Sequence, residues 1–108
     1  MTTSRISGFY NLTIEERRAK LADASLLSPL ELAPWTTGGL SAESADHMIE
    51  NVVGMHSLPV GIGLNFMVNG RDVLVPFVVE EPSVVAGASF MAKLVRAGGG
   101  FHATTTDP

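Results

Sequence analysis

A chain of 108 residues with 45% hydrophobic content suffices for one domain with a core. Its net charge is −4, and its seven basic residues are spread along the chain, which argues against a nucleic-acid footprint of clustered Lys and Arg. Without cysteine there are no disulfides, thiolate nucleophiles or cysteine zinc sites; with no membrane-length apolar run and no signal-peptide core in MTTSRISGFY, the expectation is a soluble, cytoplasmic protein.

Residues 1–11 are polar and read as extended, anchored by Phe9 and Tyr10. Thr13 and Glu16 form a capping box that opens a helix from about Ile14 to Leu26, with Glu15, Glu16, Arg17, Arg18 and Lys20 as its solvated face. A second capping box, Ser28 with Glu31, starts a short helix that Pro34 is expected to stop. Thr36–Gly39 then reads as a turn. Ser41 caps a predicted helix over Ala42–Val53, whose Ala45, Met48, Ile49, Val52 and Val53 make an apolar stripe, with Gly54 at the C′ position. That stripe faces either the core or another subunit.

Val60–Val68 and Asp72–Val79 read as strands joined through Asn69-Gly70, the strongest short-range hairpin signal. The apolar run Leu74–Val79 predicts a strand buried on both faces, while Pro76 demands an edge position or a bulge. A helix follows from Pro82 to about Ala97, with Val84, Val85, Ala88, Met91, Ala92 and Val95 inward; Gly98-Gly99-Gly100 ends it. The fold class is therefore α+β: N-terminal helices, an Asn-Gly β-hairpin and a central helix.

Glu80 and Glu81 stand where the second strand meets that helix. On the residues alone they are ordinary helix-entry acids, with Pro82 suited to N1. His47, His56 and His102 have no metal-ligand spacing and read as ordinary imidazoles, so no metal is expected. Neither Gly98–Gly100 nor Gly61-Ile62-Gly63 sits in the strand–loop–helix context of a dinucleotide fingerprint.

Three stretches in order, Glu50-Asn51-Val52-Val53-Gly54, Leu58-Pro59-Val60-Gly61-Ile62 and Glu80-Glu81-Pro82-Ser83-Val84-Val85-Ala86, resemble the catalytic domain of 3-hydroxy-3-methylglutaryl-CoA reductase (HMG-CoA reductase) in its class II, bacterial and archaeal form. The resemblance runs from about Arg5 to the end. It implies that residues 1–108 are the N-terminal part of the substrate-binding domain, without the nucleotide-binding domain. It also implies a reaction: HMG-CoA is reduced to mevalonate and free CoA by two hydride transfers from NADH or NADPH, bound by the absent domain.

Within that resemblance Glu81 matches the catalytic acid, a role that needs a carboxyl partly protonated near neutral pH; burial and the like-charged Glu80 both work in that direction. Ser83 matches the serine that hydrogen-bonds the hydroxymethylglutaryl group; the plain reading is a first-turn serine bonding local backbone. The Glu50–Gly54 region matches the homodimer contact. Some members carry an arginine after a phenylalanine that contacts the CoA phosphates, where this chain has Phe9-Tyr10. Arg5 reads there either as a substitute or as a solvated side chain. The family's catalytic lysine, aspartate and histidine have no counterpart here, so these residues alone are expected to be inactive. The alternative is a non-catalytic dimerisation or interaction module derived from the same domain. No nucleic-acid or membrane partner is expected.

Overall fold

The computed structural model describes residues 3–24 and 27–108. The segment expected to be extended makes a 3₁₀ turn at Phe9–Asn11, entered through Gly8 at φ 69°. Helix α1, Ile14–Asp23, carries the expected capping box: the Thr13 hydroxyl accepts from Glu16 N–H, and the Glu16 carboxylate accepts from Thr13 N–H at 2.7 Å. It ends at Asp23; the predicted end at Leu26 lies outside the described residues. Its basic residues are not all solvated. Arg17 donates to the Phe9 and Tyr10 carbonyls at 3.2 and 3.0 Å, and Arg18 donates to the Trp35 carbonyl.

Helix α2, Pro29–Thr37, opens on the Ser28–Glu31 capping box but passes through Pro34 rather than stopping there. An interior proline removes one backbone donor and crowds the carbonyl four residues back, which here α2 absorbs without ending. Beyond it, Thr36 and Thr37 hydroxyls bond back to the Leu32 and Ala33 carbonyls, and Gly38 N–H bonds the Pro34 carbonyl at 3.1 Å. The halt comes at Gly38, and the expected Thr36–Gly39 turn is half helix.

Helix α3 is shorter than its pattern: Ala42–Asp46, capped by Ser41. Asn51 takes φ 58°, off the helical path. The predicted stripe dissolves with it: Ala45 is buried, whereas Met48, Ile49 and Val53 are 67%, 65% and 103% exposed. Gly54 is consequently no helix cap. An amphipathic helix is held by what its apolar face packs on, and among the described residues this face finds little cover beyond Ala45 and the half-buried Val52.

The hairpin has two parts. β1 (Val60–Gly63) pairs antiparallel with β4 (Val75–Val78), Val60 opposite Val78; β2 (Met67–Val68) pairs with β3 (Arg71–Asp72), Met67 opposite Asp72. Asn69 and Gly70 at φ 50° and 76° make the two-residue turn. Between the two ladders three residues, Leu64–Phe66, face two, Val73 and Leu74, so Asn65 at φ 68° bulges. β4 has one neighbour, which suits Pro76, and is not buried on both faces: Val75 and Phe77 are half-buried, Pro76 and Val78 exposed.

Helix α4, Val84–Ala97, packs on β1, with the Val85 side chain 3.1 Å from where a Cβ on Gly61 would lie. Ala92 is buried, but Met91 is exposed; Ser89 and Arg96 turn inward instead. The helix closes as Gly98 and Gly100 N–H both bond the Val95 carbonyl at 3.0 Å. Phe101 then lies parallel to Val68 and stacks on Phe66, centroids 5.6 Å apart.

What ties these pieces together is polar. Ser4, fully buried, donates its N–H to Asp72 at 2.7 Å and its hydroxyl to the Phe66 carbonyl at 2.8 Å. Arg96 grips both oxygens of Asp72 at 2.9 and 3.1 Å. Burial pulls the Asp72 carboxyl upward, but the Ser4 N–H and the Arg96 guanidinium together outweigh it and leave its pKa below the ordinary 3.8.

Candidate functional site

β4 delivers the chain to Glu80 and Glu81 after Val79 N–H has bonded the Pro59 carbonyl at 3.3 Å. Pro82 and Ser83 form a turn, and α4 starts at Val84, so Pro82 is not at the first helical position. Ser83 adopts φ 77°, ψ −20°, a left-handed conformation that costs energy in a residue bearing a Cβ. Its carbonyl accepts from Gly87 N–H at 2.8 Å, yet its hydroxyl makes no capping bond. The local role open to a first-turn serine is therefore not taken. Both carboxylates are exposed; the burial expected around Glu81 is not supplied by these residues.

Glu80, Glu81 and Ser83 border one open groove of about 2290 Å³. The groove runs between the β1 and α4 face and the N-terminal segment; Arg5, Tyr10, His56 and Lys93 also line it. Two residues missed from sequence sit at its floor. Asn65 donates from its amide to the Ser89 carbonyl at 3.0 Å, while the Ser89 hydroxyl accepts from Leu64 N–H at 3.0 Å, fastening α4 to the bulge. The register Val85, Ser89, Lys93, at four-residue spacing from the Glu-Glu-Pro-Ser turn, was the signal available for that face.

Four of the seven basic residues, Arg5, Arg17, Arg18 and Lys93, border the groove, against two of the eleven acidic ones. The groove is thus basic in an acidic chain. Of the histidines, His47 Nδ1 lies 2.7 Å from the Glu43 carbonyl, and among the described residues no group of three metal-ligating side chains assembles. Nor do the described helices include one long and apolar enough to cross a membrane. The glycine-rich stretches keep structural places, Gly61 and Gly63 under Val85 and Phe77 and Gly98–Gly100 at the end of α4, so these residues do not fit a dinucleotide.

Comparisons with known proteins place the fold in one family. A protein of Archaeoglobus fulgidus, 3-hydroxy-3-methylglutaryl-coenzyme A reductase, is 50% identical over 105 residues, 97% of this chain and 23% of its own length. A probable reductase of the same name from Borreliella burgdorferi is 45% identical over 50 residues, 46% of this chain and 12% of that protein. Among solved structures, the class II reductase of Streptococcus pneumoniae, bound to NADPH in open conformations, superposes with a TM-score of 0.83 at 41% identity, covering 91% of this chain and 27% of that one. The chain thus spans about a quarter of the length of these fuller matches. The sequence model of the family described as hydroxymethylglutaryl-coenzyme A reductase matches residues 13–108, and the chain belongs to that family.

Proposed function

We propose that these residues form the acyl-binding and proton-donating part of the substrate-binding domain of an HMG-CoA reductase, with Glu81 as the general acid and Ser83 as a hydrogen-bond partner of the hydroxymethylglutaryl group. The observation that carries this reading is Ser83: a serine in a left-handed turn, its hydroxyl unspent on the helix, two residues from a carboxylate on the same groove. Strained backbone of this kind collects at functional sites.

In the overall reaction, HMG-CoA, two NAD(P)H and two protons give mevalonate, CoA and two NAD(P)⁺. The nicotinamide supplies hydride and is held by residues outside these 108. Glu81 contributes a proton to the carbonyl oxygen as negative charge develops there. Glu80 remains a helix-entry residue. The partner is a second copy, met through Glu50–Gly54, and the compartment is the cytoplasm. Lys20 and Lys93 are the only lysines, and neither lies in the context of the family's catalytic lysine; the 108 residues alone therefore do not turn over substrate.

In the full-length enzyme carrying this sequence, Glu81→Gln lowers kcat for mevalonate-dependent NAD(P)⁺ reduction by about 10²–10⁴-fold, the usual worth of a positioned acid. Turnover surviving that substitution would remove Glu81 from the role. The exposed apolar segment at Met48, Ile49 and Val53 favours one second reading, an interaction module without chemistry; self-association without turnover in the full-length protein is its signature.

A further inference from the structure

We propose that Ser4, Asp72 and Arg96 form a latch that fixes the N-terminal arm relative to α4 and so sets the groove's wall, making all three positioning residues for the substrate. That the substrate is HMG-CoA rests on the reductase reading; the latch itself rests on geometry. Of residues 3–10, Ser4 alone does not border the groove, and neither Asp72 nor Arg96 borders it. The arm is thus pegged from behind, at one residue whose neighbours on both sides form the wall.

The peg uses every polar group of Ser4. Its N–H donates to Asp72 at 2.7 Å, its hydroxyl donates to the Phe66 carbonyl at 2.8 Å, and its carbonyl accepts from Asn65 N–H at 2.9 Å. The Asn65 amide in turn donates to the Ser89 carbonyl on α4. Arg96, about two turns further along that helix, closes the circuit by gripping both oxygens of Asp72. The far end of the arm is held separately, where Arg17 donates to the Phe9 and Tyr10 carbonyls. Residues 5–8 are therefore a short span tethered at both ends. Releasing one end restores backbone freedom that the tether removes.

A polar fastening suits position better than strength. A partly buried ion pair adds little stability over an apolar contact of equal volume, but its hydrogen bonds have direction. An arm held by apolar packing is free to slide along the hairpin; one held through Ser4 has a single register. Helix α4 links the latch to the site. Arg96 lies in its last turn, while Ser83, its N-cap, borders the groove thirteen residues earlier, roughly 20 Å away along the axis. The latch therefore acts through the arm and touches no ligand.

Arg5, exposed beside the peg, supplies the probe, because trypsin cuts after it once the arm leaves its seat. Limited trypsin digestion and steady-state kinetics are run on the full-length enzyme as wild type, Ser4→Ala and Arg96→Lys. Arg96→Lys keeps the charge and loses the two-oxygen grip. Expected in both variants is cleavage after Arg5 about tenfold faster, with the sites at Lys20 in α1 and Lys93 in α4 as resistant as in wild type. The KM for HMG-CoA should rise about tenfold with kcat within about twofold, the mark of lost binding rather than lost chemistry. Cleavage after Arg5 at the wild-type rate overturns the proposal. So does loosening that reaches Lys20 and Lys93 equally, which marks a knot that only holds the fold together, or a loosened arm with KM unmoved. Wild type that does not turn over HMG-CoA removes the reductase reading alone; cleavage after Arg5 then still upholds or overturns the latch.

Discussion

Ser4, Asp72 and Arg96 make a polar knot where an apolar core would ordinarily do the joining. Asp72 accepts from Ser4 N–H and from Arg96, and the pair is only 13% and 20% exposed. Removing one member leaves the other charge partly buried and unpaired, so Arg96→Met costs about 3 kcal/mol, read as the shift in urea midpoint at constant slope. Because the Asp72 pKa is depressed on folding, its contribution is full above the unfolded value of 3.8 and is lost as pH falls through the folded value. Stability measured below pH 3.8 should therefore decline less steeply in Asp72→Asn than in the wild type; equal slopes would mean that Asp72 titrates alike in both states. None of this was legible beforehand. A lone serine near the terminus, a strand aspartate and a helix arginine carry no local pattern, and only the fold brings residues 4, 72 and 96 together.

At the scale of elements, legibility followed how local the cause was. Both capping boxes and the Asn69-Gly70 turn were read correctly because their bonds close within three or four residues. The helix over 42–53 was drawn too long because periodicity records which residues want cover, not where that cover lies. Pro34 was over-read as a stop, although a missing donor weakens a helix without ending it. Glu81 and Ser83 are proposed on the family resemblance rather than on local physics; the left-handed φ of Ser83 has no signature in the residue itself. On the proposed homodimer reading this exposed segment carries the contact: Val53→Asp in the full-length enzyme should then shift sedimentation from dimer toward monomer, since a charge in an apolar contact is unpaired there. An unchanged sedimentation coefficient would move the contact elsewhere.

Taken whole, the chain is more open than its length predicts. Its radius of gyration is 16.5 Å, against about 13 Å for a compact domain of this size. The buried apolar residues are few, Leu21, Leu32, Ala45 and Ala92 among those described, while Met48, Ile49, Val53, Val78, Phe90 and Met91 are exposed. Expressed alone, the 108 residues should melt broadly by circular dichroism and bind a hydrophobic dye; a sharp, cooperative transition would show that the pieces suffice by themselves.

The burial of Ser4 also has a meaning in time. Its partners Phe66, Asp72 and Arg96 follow it by 62, 68 and 92 residues, so during synthesis the arm leaves the ribosome long before anything exists to hold it. Closing a loop of that length costs entropy before any bond rewards it. The arm around Ser4 is thus among the last of these residues to settle, and until α4 has emerged the arm that borders the groove remains open to proteases and chaperones.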